Sequence, residues 1–247
     1  LMPRLGELAA YAWLHCLATA GVAAACGWAC RARLRPVRLA WVGPDAAGMR
    51  EGLSLAAVTL TGHVLANSDK VAGLRFGGPE LAGHYTAAQR FAALLCLPID
   101  ALVAASLPSL FEAGGRSEPR WRLLGTLVAL ALGYGVVAGL VLRLAAPALG
   151  WLLGADFVSS IALVQTFAWL VPAYALRQVG SHVLLGFGRV GWRLACEGAA
   201  ALLLVALIGA WLPEFGAAGV VRAVLVVEYA LLLTVWAGVM KRQPAVA

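Results

Sequence analysis

The chain has 247 residues, 62% of them hydrophobic and 13% charged, with a formal net charge of +7 and a mean hydropathy of +0.85. A length suited to one or two soluble domains is therefore filled with a composition that excludes a soluble fold. The positive charge does not point to nucleic acid, because the arginines fall between apolar runs rather than on one basic face. Several runs exceed the roughly 20 residues a helix needs to cross about 30 Å of hydrocarbon. Lipid offers no hydrogen-bond partner to an open backbone, so these runs are expected to be helices of an all-α polytopic membrane protein.

The first apolar run covers 8–29, with Trp13 and Trp28 near its ends as interfacial anchors. Arg31, Arg33, Arg35 and Arg38 follow it, and Pro36, Gly43 and Pro44 end the pattern before Arg50. The second run, 51–76, carries Ser54, Thr61, His63, Asn67, Ser68, Asp69 and Lys70, groups that need partners inside protein. Gly77-Gly78-Pro79-Glu80 then predicts a tight reversal, with Pro79 suited to a first helical position and Glu80 to the positive end of the helix dipole. The third run, 81–111, is longer than one crossing, and Pro98 and Pro108 remove backbone donors, which predicts a kink.

A second basic loop holds Arg116, Arg120 and Arg122. The fourth helix, 123–142, contains Gly135-x-x-x-Gly139, a spacing that admits a close helix neighbour. Residues 145–158, with Pro147, Gly150, Gly154 and Asp156, are too irregular to span and predict a bent helix end and a turn. A fifth helix, 160–185, is polar for a span, carrying Gln165, Pro172, Arg177, Gln178 and His182. The sixth, 192–212, has Glu197 near its start, and Pro213-Glu214-Phe215-Gly216 reverses the chain into a seventh, 217–240, with Arg222 and Glu228.

About seven spans result, and alternate connections carry the lysine and arginine excess, which predicts a cytoplasmic carboxyl end. The expected division is a leading helix and basic loop over 1–50, then a helical lobe over 51–247. Cys16, Cys26, Cys30, Cys96 and Cys196 show no C-x-x-C pair and no zinc-like spacing, so they read as small apolar packing residues, and neither metal nor cofactor is expected. No Gly-x-Ser-x-Gly, H-E-x-x-H or Walker loop occurs, and the loops are short, so no enzyme chemistry is expected.

Asp69-Lys70, then Gly77-Gly78-Pro79-Glu80-Leu81-Ala82-Gly83-His84-Tyr85-Thr86-Ala87-Ala88-Gln89-Arg90, together with Leu97-Pro98, Leu107-Pro108, Gly154-Ala155-Asp156-Phe157, Leu185-Gly186-Phe187-Gly188-Arg189 and Phe215-Gly216, resemble the polysaccharide and lipid-linked oligosaccharide flippases of the multidrug/oligosaccharidyl-lipid/polysaccharide (MOP) exporter superfamily. The resemblance runs over 51–240 and corresponds to the family's carboxyl-terminal lobe. It implies a multi-pass protein of the cell membrane that moves a polyprenyl-diphosphate-linked glycan by alternating access. It also implies an amino-terminal lobe outside this sequence, whether through a truncated gene, a fragment or a separate partner subunit.

Lys70, Arg90, Arg177 and Arg222 lie within or near spans and are the candidates for contact with an anionic diphosphate, Arg90 and Arg177 foremost because a guanidinium can bind phosphate oxygens bidentately. The structural alternative pairs each with Asp69, Asp100, Glu197 or Glu228. Asp69, His63, Asp100 and His182 are candidates for ion coupling or for polar packing. Two other readings stay open: a multidrug or cation antiporter of the same superfamily, in which Asp69 or Asp100 would bind a cation, and an accessory membrane subunit without transport.

Overall fold

A computed structural model describes residues 5–34, 45–114, 121–148 and 158–241. The stretches expected to hold Arg35, Arg38, Arg116, Arg120, Arg242 and the turn at Gly154-Ala155-Asp156-Phe157 lie outside the described residues. Every regular element among the described residues is helical: α1 (Leu5–Leu34), α2 (Ala46–Gly114), α3 (Trp121–Ala145) with a 3-10 turn (Ala146–Ala148), α4 (Val158–Phe167), α5 (Leu170–Gly186) and α6 (Val190–Met240). The chain is an all-α polytopic membrane protein, with four helices long and apolar enough to cross a bilayer among the described residues.

Two of those helices, α2 and α6, are hairpins. In α2 the single break from helical dihedrals is Gly78, at φ 80° and ψ 176°. A positive φ strains any residue with a Cβ, whereas glycine adopts it freely, and Pro79 then restarts the helix where its missing N–H is no loss. The reversal follows from a contact. Asp69 accepts hydrogen bonds from Tyr85 and Gln89, although 16 residues of straight helix would separate Asp69 and Tyr85 by about 24 Å. In α6 the break is Gly216 (φ 56°), three residues after Pro213. The arms are therefore 46–77 and 79–114 in α2, and 190–215 and 217–240 in α6.

The prolines within the predicted spans behave differently. Pro98 and Pro108 sit within α2 without any departure from helical dihedrals. The fifth predicted helix, by contrast, is interrupted at Ala168-Trp169, between α4 and α5. Pro172 supplies the physical reason, since it has no N–H to donate to the carbonyl of Ala168, four residues earlier. That carbonyl instead lies against Gly139 of α3, where an added Cβ would come within 2.5 Å of it. Gly135 is as tightly placed, 2.8 Å from the Cα of Pro172 by the same construction. The Gly135-x-x-x-Gly139 stripe thus brings α3 against the α4–α5 break, as the sequence implied.

The described residues divide into two compact units, within Leu1–Gly48 and Met49–Ala247. In the first, α1 is exposed along its described length, Cys16, Cys26 and Cys30 included, so the packing role expected of these cysteines is not met there. In the second, α5 packs most extensively on α6 and α3. Its core joins Tyr85, Ile99, Phe167, Leu184, Ile208 and Leu231, all at most 2% exposed. Outward positions such as Leu202 (76%) and Leu233 (71%) are apolar, while Asp69, Arg177, Arg193 and Glu197 are buried. Apolar outside and charged inside suits hydrocarbon as solvent.

Candidate substrate cavity

Within the second unit, both arms of α2, helix α5 and both arms of α6 surround a cavity of about 850 Å³. Its α2 wall follows from helical periodicity: Thr86, Arg90, Ala93, Leu97 and Asp100 recur at steps of three and four and share one face. Four basic side chains, Lys70, Arg90, Arg177 and Arg193, line the cavity together with four acidic ones, Asp69, Asp100, Glu197 and Glu228. Their formal charges cancel, so what matters is which are already paired.

Two arginines are committed to carboxylates. The Nε of Arg177 donates to Oε1 of Glu228, and its guanidinium lies 4.9 Å from the Tyr174 ring centroid. Arg193 Nε donates to Glu197 Oε1 at 2.7 Å, an i,i+4 pair on one helix. Of the two leading phosphate candidates, Arg177 is therefore the one already paired with a carboxylate. Arg193, the second residue of the predicted sixth helix, is not among the candidates from sequence, yet it is 9% exposed inside α6. Glu197 Oε2 and Ser181 Oγ are buried without a hydrogen-bond partner among the described residues. Gly62 faces that free carboxylate oxygen, 3.8 Å from where a Cβ would stand.

The aspartates are held differently, by neutral donors at a repeated spacing. Tyr85 and Gln89 both donate to Asp69 Oδ2, the latter at 2.8 Å. Tyr174 and Gln178 both donate to Asp100 Oδ1, each at 2.8 Å. A Tyr-x-x-x-Gln pair on another helical arm, the second arm of α2 for Asp69 and α5 for Asp100, thus clamps each carboxylate, because residues four apart share a helix face. The pairs Tyr85/Gln89 and Tyr174/Gln178 were legible as spacings, but nothing local in sequence joins them to their aspartates.

The remaining candidates separate clearly. Lys70 does not reach another helix: its Nζ donates to the Ala66 carbonyl at 3.2 Å and to Asn67 Oδ1 at 3.1 Å. Arg90 is exposed and forms no hydrogen bond or ion pair among the described residues, and it also borders a second hollow of about 400 Å³ beside Glu80 and His84. His63 and His182 both line the main cavity, and His182 Nδ1 donates to the Gln178 carbonyl at 2.8 Å. Arg222 does not belong to the lining. It is exposed and stacks 5.0 Å from the Phe215 ring, next to the Gly216 reversal.

No family model and no curated protein sequence matches the chain. Among solved structures, the chain is similar to the outward-facing conformation of a multidrug resistance MATE family transporter of the MOP superfamily, at 16% identity and a TM-score of 0.63. That likeness covers 83% of this chain and 48% of the other, so the chain spans about half the length of the structure it matches. At this identity the likeness speaks to the fold alone, an all-helical membrane fold shared over most of this chain.

Proposed function

We propose that this chain forms one lobe of a membrane transporter that moves a polyprenyl-diphosphate-linked glycan, with the headgroup crossing in the cavity while the prenyl tail stays in the bilayer. The observation that carries the reading is Arg90. A guanidinium within a span is costly, by roughly 2.5 to 3.5 kcal/mol on insertion scales, unless it meets water or an anion. Here Arg90 borders the cavity without an ion-pair partner among the described residues, and Lys70 lines the same cavity. A diphosphate would satisfy both cations with charge-assisted hydrogen bonds. A partner lobe, supplied by another chain or by further sequence, would close the path for alternating access.

A second reading keeps the multidrug transporter. Asp69 and Asp100 receive only neutral side-chain donors, so either carboxylate could attract a cationic solute or a coupling ion. The full chain in proteoliposomes separates the two, using a fluorescent prenyl-diphosphate disaccharide in one set and a lipophilic cationic dye in another. The glycan reading expects translocation of the former and its loss in Arg90→Ala. Dye movement that survives Arg90→Ala but not Asp100→Asn favours the second reading and removes the first.

A further inference from the structure

Building on that reading, we propose that the transported glycan is zwitterionic: its diphosphate is met by Arg90 and Lys70, and a protonated amine further along the glycan is met by Asp100. The argument begins with subtraction. Arg177 is committed to Glu228 and Arg193 to Glu197, so these buried pairs offer a ligand no net charge. Asp69 is 3% exposed, and its Oδ2 receives both Tyr85 and Gln89. The charges left for a ligand are Lys70 and Arg90 on one side and Asp100 on the other.

Asp100 suits an ammonium group for a geometric reason. Tyr174 and Gln178 both donate to Oδ1, which fixes the carboxylate while leaving Oδ2 without a partner among the described residues. Asp100 is only partly buried and borders the cavity, so Oδ2 is within reach of a solute. Glu197 Oε2 is also unpartnered, but it is sealed from solvent and its other oxygen is held by Arg193. Asp100 is thus the reachable acid.

The separation of the two charges sets the shape of the ligand. Arg90 and Asp100 lie on the same face of α2, ten residues apart, which is about 15 Å of helix rise. Ala93, Cys96 and Leu97 form the wall between them and carry no charge. The matching solute has an anion at one end, a neutral middle and an amine at the other, so the amine belongs on a sugar beyond the first. A free amine rather than an acetamide is required, because only the ammonium both donates hydrogen bonds and cancels the carboxylate charge.

The test uses the full chain in lipid nanodiscs and two ligands: farnesyl diphosphate carrying chitobiose with free amines, and the same lipid carrying N,N′-diacetylchitobiose. Calorimetry at a pH that keeps the amines protonated should give at least about tenfold tighter binding of the amine form, as a charged hydrogen bond implies. Asp100→Asn, whose amide oxygen can still accept from Tyr174 and Gln178, should bring the two affinities together, and Asp100→Glu should restore part of the preference. Equal affinities in the wild-type chain overturn the proposal while leaving the diphosphate reading intact, as does a preference that persists in Asp100→Asn. Should that variant fail to fold, the wild-type ratio alone decides. Binding of neither ligand removes both the proposal and the reading beneath it.

Discussion

Replacing Glu228 with alanine tests whether Arg177 is a structural or a ligand-binding cation. Arg177 is 8% exposed, its Nε donates to Glu228 Oε1, and its other named contact is the face of Tyr174. Glu228→Ala therefore removes the carboxylate bonded to a buried guanidinium. Breaking one side of a buried ion pair costs about 3 to 5 kcal/mol, which in a chain of this size lowers Tm by on the order of 10 °C. The pair can also be removed whole. Arg177→Met combined with Glu228→Leu puts apolar groups in the same volume, and such exchanges are often neutral or stabilising. Thermal unfolding of the purified chain in one detergent, at fixed protein concentration, compares the variants. An unchanged Tm in Glu228→Ala, or a double variant as unstable as the single ones, would refute the structural assignment.

Other expected outcomes are simpler. Gly139→Leu should abolish folding, measured as loss of a monodisperse peak on size exclusion, because even a Cβ there falls 2.5 Å from the Ala168 carbonyl. Gly78→Ala should lower stability by about 1 to 2 kcal/mol, read from Tm, since the residue keeps a left-handed φ of 80°. Arg222→Ala should leave ligand binding unchanged and cost less than about 1 kcal/mol, because the side chain is exposed and contributes a cation–π contact to Phe215.

The sequence made the helical segments and their reversals legible because those signals are local. Gly78 needs a positive φ and Pro79 needs a helix start, and both requirements are visible within four residues. The Gly135/Gly139 stripe announced a close neighbour for the same reason. The break at Ala168-Trp169 was harder to read. Pro98, Pro108 and Pro172 each remove a donor, yet only the last accompanies an interrupted helix, the one whose orphaned carbonyl lies against a glycine on α3.

The site was legible in residue type but not in pairing. Asp69, Lys70, Arg90, Asp100, Arg177, His63 and His182 do border one cavity, since charges in apolar runs are costly unless they face a shared interior. Which charge cancels which depends on contacts such as Arg177 with Glu228, 51 residues apart. No local pattern encodes that separation. Arg193 was hidden by its neighbours in sequence, the basic residues near the start of α6, and Arg222 by its place in an apolar run that turns its side chain outward.

The central claim is that Arg90 meets an anionic diphosphate in the cavity, and the most direct measurement is the affinity of the full chain in nanodiscs for a farnesyl-diphosphate disaccharide, wild type against Arg90→Ala. Loss of a charged hydrogen bond predicts at least about tenfold weaker binding in the variant, with a smaller difference for the same disaccharide on an uncharged farnesyl carrier. Equal affinity of the two proteins for the diphosphate ligand would contradict the account.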